Sequence, residues 1–332
     1  MRSKWYWLSV LTIIVAGALV AYILRPAPLP ARDLRQHAAA LDWSEGQPWS
    51  KGFHYWLSEQ DLLVQGRQAV ERVDARSGSR KDLPTLQPLA TGGTRAIGEL
   101  KPNAAEGIAL WTPLRGGVGF AWLDGSRLDE RPCTRSQRCG YVWIDRETWL
   151  EFLPPPGGGP VTEGFLHSLR GSDKPKPIAL PKVERALLES AVPRSDGTLL
   201  LAADVGEKRA CVAILDLSKE KPTLRAVKQG DMADAPALLA LPAPGGRRLA
   251  WAYAQPEPPA EGPLARGPRH RWTVHVLLDP LDGGKARPLG TYPLSADTPC
   301  CPGVRMRWLP DGKRMSFVCE GRLWIFEVPE KP

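Results

Sequence analysis

Residues 306–328 read MRWLPDGKRMSFVCEGRLWIFEV, and this stretch decides the fold. Pro310-Asp311-Gly312-Lys313 is turn chemistry. Proline presets φ at the first turn position, aspartate caps nearby backbone N–H groups, and glycine accepts a positive φ. Met315-Ser316-Phe317-Val318-Cys319 then reads as a strand, Glu320-Gly321 as a second tight turn, and Leu323-Trp324-Ile325-Phe326-Glu327-Val328 as a further strand. Strand, Asp-Gly turn, strand, short turn, strand is most of one antiparallel blade. A single blade cannot bury both of its faces, so the pattern should recur.

It recurs in worn form. Trp56-Leu57-Ser58-Glu59-Gln60-Asp61 precedes Leu62-Leu63-Val64, and Pro102-Asn103 precedes Ile108-Ala109-Leu110-Trp111. Ile144-Asp145-Arg146-Glu147-Thr148 precedes Trp149-Leu150-Glu151-Phe152, and Ser195-Asp196-Gly197-Thr198 precedes Leu199-Leu200-Leu201. Pro244-Gly245-Gly246-Arg247-Arg248 precedes Leu249-Ala250-Trp251. Strand starts at Leu62, Ile108, Trp149, Leu199, Leu249 and Met315 are separated by 46, 41, 50, 50 and 66 residues. The first four intervals suit four-stranded blades of about 40–50 residues. The last is lengthened by the Pro-, Gly- and Arg-rich run Gln255–Arg271.

Trp308-Leu309-Pro310-Asp311-Gly312-Lys313-Arg314-Met315-Ser316-Phe317 resembles the repeat W-S-P-D-G-K-x-I-A-F of the TolB-type (WD40-like) β-propellers, with leucine in place of serine. The other five copies match loosely. The resemblance implies an all-β, six-bladed β-propeller over residues 41–332. The competing architecture is a β-sandwich with turns at similar intervals.

The 332 residues carry 34 Pro and 32 Gly, which favours short strands and turns over long helices. Trp5–Leu24 is a continuous apolar run behind Arg2 and Lys4, long enough to cross a bilayer as a helix. Trp5, Tyr6, Trp7 and Tyr22 suit its interfacial ends. It reads as an uncleaved signal anchor over residues 1–24. The competing reading, a cleaved signal peptide, would leave an apolar Tyr-Ile-Leu start. Residues 25–40 follow as a Pro-rich linker.

Six cysteines are present: Cys133, Cys139, Cys211, Cys300, Cys301 and Cys319. Cys133 and Cys139 could close a short loop, and Cys300 or Cys301 could reach Cys319, whereas Cys211 reads as a small buried residue. A zinc site draws no support from spacing, with no Cys-x-x-Cys pair and no histidine at ligand spacing. Disulfides require an oxidising compartment, so the anchor and the cysteines together place the domain outside the cytoplasmic membrane, on the periplasmic side.

Catalytic signatures are missing from the sequence. There is no Gly-x-Ser-x-Gly elbow, Walker A run or His-Glu-x-x-His motif. His37, His54, His167, His270 and His275 are scattered singly. Asp124, Asp145, Asp216 and Asp279 end or follow strands, where they could ring one rim around a cation or simply cap turns. The net charge of +8 falls to +6 without Arg2 and Lys4, with no basic stripe of the kind nucleic acid requires. The expectation is a non-enzymatic, membrane-anchored binding or scaffolding module with a protein partner in the cell envelope and no cofactor. Its partner contact is expected on the Arg127–Gly140 loop, through Arg127, Arg131, Arg135 and Arg138. The alternatives are a channel-site enzyme (a metal-assisted hydrolase or lyase) and a small-ligand or glycan sensor.

Overall fold

A computed structural model describes residues 33–42, 53–66, 68–90, 94–135, 139–155, 159–170, 174–204, 209–231, 238–256, 272–281, 286–294, 306–319 and 322–329. The anchor, residues 25–32 of the linker, Arg138, Cys300, Cys301 and the side chain of Cys319 lie outside that description. No helix among the described residues is long and apolar enough to cross a membrane.

Six four-stranded antiparallel sheets make up the fold. Blade 1 holds β2 (Phe53–Trp56), β3 (Asp61–Gln65), β4 (Val70–Asp74) and β5 (Arg80–Asp82). Blade 2 holds β6 (Ala96–Asn103), β7 (Ile108–Pro113), β8 (Val118–Trp122) and β9 (Leu128–Arg131). Blade 3 holds β10 (Gly140–Trp143), β11 (Thr148–Phe152), β12 (Val161–Ser168) and β13 (Lys176–Val183). Blade 4 holds β14 (Val192–Pro193), β15 (Leu199–Asp204), β16 (Arg209–Asp216) and β17 (Thr223–Asp231). Blade 5 holds β18 (Leu238–Pro242), β19 (Leu249–Pro256), β20 (Trp272–Asp279) and β21 (Arg287–Leu294). The last blade takes β22 (Met306–Trp308), β23 (Arg314–Cys319) and β24 (Arg322–Glu327) from the C-terminus and β1 (Ala38–Asp42) from the N-terminus.

Each strand start read from the sequence falls at the beginning of the second strand of a blade. Those strands are buried on both sides, because each blade packs against two neighbours, so they appear as apolar runs without alternation. In β3, Leu62 and Val64 pack with Leu309, Val318 and Leu323 of the last blade. Leu63, on the other face, packs with Ala109 and Trp111 of blade 2. The same division repeats around the ring, through Leu110 against Trp149, Leu150 against Leu199, Leu200 against Leu249, and Ala250 against Met315. Six inter-blade cores therefore join six blades into a closed ring. Some rings fit only over glycine: a Cβ on Gly119 would lie 2.0 Å from the Trp111 indole, and one on Gly140 2.1 Å from the Phe152 ring.

Ring closure differs from the expected boundaries. The compact unit begins at Asp33 rather than residue 41. Leu34, 2% exposed, joins the core between blades 5 and 6, and Asp33 bridges to Thr291 of β21. Strand β1 then pairs with β24, Ala38 opposite Phe326 and Asp42 opposite Arg322. The N-terminal segment is thus the outermost strand of the last blade, and part of the supposed linker belongs to the ring.

The quoted turn folds as its chemistry requires. Gly312 adopts φ +63°, and Asp311 Oδ1 accepts hydrogen bonds from the N–H groups of Lys313 (2.8 Å) and Arg314 (3.1 Å). Because strands alternate in direction, the turns after the first and third strands of every blade share one rim. The connections between blades share the other.

Candidate functional site

The first strands of all six blades surround a central channel containing a cavity of about 1310 Å³. Its wall includes Tyr55 and Trp56 from β2, Lys101 from β6, Tyr141 and Trp143 from β10, Pro193 from β14, Leu241 from β18, and Arg307 and Trp308 from β22. Arg146 and Arg194 reach it from the turns after β10 and β14. At the opposite rim a single-turn helix, α1 (Arg185–Glu189), contributes Arg185 and Glu189. Cations on the wall are Lys101, Arg146, Arg185, Arg194 and Arg307; carboxylates are Asp145 and Glu189. No histidine is among the described lining residues.

Inner-strand tryptophans tie three of the blades to their predecessors. Trp143 Nε1 donates to the Lys101 carbonyl at 2.8 Å, and Trp308 Nε1 donates to the Leu241 carbonyl at 2.8 Å. Trp56 Nε1 donates to Ser316 Oγ at 2.8 Å, where His54 Nε2 lies 2.9 Å away. His54 and Ser316 are 1% and 0% exposed, so this Ser–His pair is a buried joint between the last blade and the first, with no path for a substrate.

The wall cations divide by role. Lys101 Nζ donates to the carbonyls of Tyr141 (2.8 Å) and Glu189 (3.3 Å), anchoring α1 in the channel. The Tyr141 hydroxyl meets Thr112 Oγ1, and burial pushes its phenol above the ordinary tyrosine range. Arg307 lies over the Tyr55 ring at 5.6 Å, Arg194 pairs with Asp196 at 3.3 Å, and Arg185 pairs with Glu189 at 2.7 Å. Arg146 is exposed and makes no ion pair among the described residues. The Asp145 carboxylate is engaged in its own turn, accepting from Glu147 N and Thr148 N at 2.7 Å each.

The four strand-end aspartates share the rim but cap turns separately. Asp124 accepts from Ser126 N, Asp216 from Ser218 N and Asp279 from Leu281 N. The Arg127–Gly140 stretch is not one loop, because β9 lies inside it. Arg127 and Arg135 sit at opposite ends of that strand and so on opposite rims. Arg127 lies 4.9 Å over Trp122, Arg131 4.8 Å over Phe120, and Arg135 5.1 Å over Phe165. Three of the expected contact arginines are therefore spread over the blade surfaces.

Cys133 and Cys139 form a disulfide in the connection from blade 2 to blade 3, as spacing suggested. Cys211 is free and half-buried. Sequence reading missed the site beside the disulfide. Glu151, 0% exposed, accepts from Thr134 N (2.7 Å) and Thr134 Oγ1 (2.8 Å), and lies 2.9 Å from His167 Nε2. His167 in turn stacks on Trp149 with ring centroids 3.9 Å apart. It also missed Lys101, Tyr141, Arg194 and Arg307 on the channel wall. Their one signal is position, since each lies shortly before a repeat turn or strand start.

No family model matches the chain, and no curated protein matches it. Similar solved structures include a chain of the mitotic checkpoint complex, 14% identical with a TM-score of 0.49, covering 92% of this chain and 99% of that one. A TolB-like protein from Agrobacterium tumefaciens is 11% identical with a TM-score of 0.49, covering 84% and 90%. An oligogalacturonate lyase in complex with manganese is 12% identical with a TM-score of 0.46, covering 83% and 76%. The six-bladed ring itself is fixed by its sheets and inter-blade cores.

Proposed function

We propose that the protein is a membrane-anchored binding or scaffolding module of the cell envelope that receives an acidic segment of a protein partner in its central channel. The observation that carries this reading is the wall charge: five cations against two carboxylates, both of the latter already engaged within the chain. A cleft lined by one sign of charge focuses its field and raises the local concentration of an oppositely charged partner. The apolar run Trp5–Leu24 supports the anchor. The Cys133–Cys139 disulfide supports an oxidising, extracytoplasmic compartment.

Charge reversal tests the proposal. Arg146→Glu and Arg185→Glu, both at exposed positions, should reduce partner capture by the full-length protein in cells at least tenfold when combined. Lys81→Glu on the outer strand of blade 1 should change nothing. Equal capture by all variants, at unchanged melting temperature, would refute it.

A second reading has its own support. Tyr55, Trp56, Tyr141, Trp143 and Trp308 supply aromatic wall to the same cavity, as in sites that stack a small ligand. A small anionic ligand held by those rings and Arg307 would show as density or mass retained on the purified protein. A protein partner would not.

A further inference from the structure

The buried carboxylate beside the disulfide has no role in the channel. The two Sγ atoms and a Glu151 carboxylate oxygen lie within 4.8 Å of one another. A disulfide gains nothing from a buried anion next to it, and Glu151 is one of only two buried carboxylates among the described residues, with Asp279. Its orientation is fixed by Thr134 and by His167 Nε2, while Trp149 holds the imidazole by stacking. A buried carboxylate within 4.8 Å of two sulfurs, with lone pairs left beyond its bonds to Thr134 and His167, is the donor set of a metal centre with its outer support.

We propose that Cys133, Cys139 and Glu151 form a redox-gated binding site for a divalent, thiophilic metal ion of the zinc type, with His167 as the positioning residue for the carboxylate. The oxidised protein carries the disulfide and cannot bind. A dithiol reductant delivers two electrons and two protons, breaking the S–S bond and becoming a disulfide itself. The two thiols formed then lose two protons as each sulfur donates a lone pair to the metal. Sulfurs on one tetrahedral zinc sit about 3.8 Å apart, given Zn–S bonds of about 2.3 Å. The Cα atoms lie 6.2 Å apart, a span over which two reduced side chains can place their sulfurs at that distance by rotation about χ1. Three protein ligands leave the fourth tetrahedral position to water. Spacing in the sequence could not indicate this site, because Glu151 and His167 come from β11 and β12, far along the chain from the Cys-x5-Cys segment.

The probe is Co²⁺, added to full-length protein reduced with a phosphine, which takes up the disulfide's oxidation as phosphine oxide with water supplying the oxygen. Reduced protein should bind one Co²⁺ with thiolate-to-metal absorption and a tetrahedral visible spectrum. Oxidised protein should show neither. Cys133→Ser/Cys139→Ser should abolish the signal, and Cys139→Ser alone serves if the double variant does not fold. Glu151→Gln should weaken binding at least tenfold, and His167→Gln should weaken it roughly 10–100-fold while keeping the thiolate absorption. A reduced protein with no absorption beyond that of the cysteine variant, equal signals from oxidised and reduced protein, or Glu151→Gln binding as tightly as wild type would overturn the proposal.

Discussion

Ser316 stands where the repeat resembled by residues 308–317 carries a small apolar residue, and its hydroxyl joins two blades. It accepts from Trp56 Nε1 and meets His54 Nε2 in a site with almost no solvent access. Removing that oxygen strands buried polar groups, so Ser316→Ala should cost about 1–3 kcal/mol in urea unfolding, with an unchanged denaturant slope. A loss below about 0.5 kcal/mol would mean that the joint is not a structural element. Asp311 offers a test through pH. Burial raises its carboxyl pKa, but the bonds from Lys313 N–H and from Arg314, with the arginine charge, outweigh this and hold it below the ordinary value. A depressed folded pKa stabilises the fold above the unfolded value of about 3.9, and that contribution disappears as pH falls through the folded pKa. Asp311→Asn should therefore destabilise at pH 7, and its deficit should shrink below about pH 4. A constant deficit from pH 7 to pH 3 would contradict the assignment. Individual residues such as Asp311 and Gly312 were legible because turn chemistry is local. Ser316 was not, because its partners are more than 250 positions away.

Among the elements, the second strands were legible and the first strands were not. Leu62–Val64, Leu199–Leu201 and Leu249–Ala252 are buried on both faces and form continuous apolar runs. The channel strands are short or interrupted by charge and proline, as at Lys101-Pro102 and Pro193-Arg194, because one face meets the cavity. Strand β1 was hidden for another reason. Ala-Ala-Ala-Leu-Asp has helical propensity, and only pairing with β24 makes it a strand. Since β1 covers the far edge of β24, deleting residues 33–42 should lower amide-exchange protection across Arg322–Glu327 and loosen the core around Leu34. Protection equal to that of the intact protein would show that the ring does not depend on its N-terminal strand. The helix α1 was missed as well. A single turn leaves little periodicity, and its position depends on Lys101 reaching the Glu189 carbonyl from another blade.

On the scale of the whole molecule, repeat spacing revealed the number of blades, because each blade repeats one stacking problem. It could not reveal the channel. Lys101, Arg146, Arg185, Arg194 and Arg307 are scattered over the sequence and converge only when the ring closes. For the same reason the arginines of residues 127–138 drew attention by clustering in sequence, whereas β9 separates Arg127 from Arg135 in space. The proposed partner site depends on that convergence, so its most direct test asks which surface of the ring meets a partner. A photo-crosslinking residue would be placed in the full-length protein at Ala104 or Ser195 on the channel mouth, or at Lys182 on the outer strand of blade 3. One protein should be captured from Ala104 and Ser195, absent from Lys182, and lost when Arg146→Glu and Arg185→Glu are introduced. Capture that is equal from all three positions, or that survives the charge reversals, would contradict it.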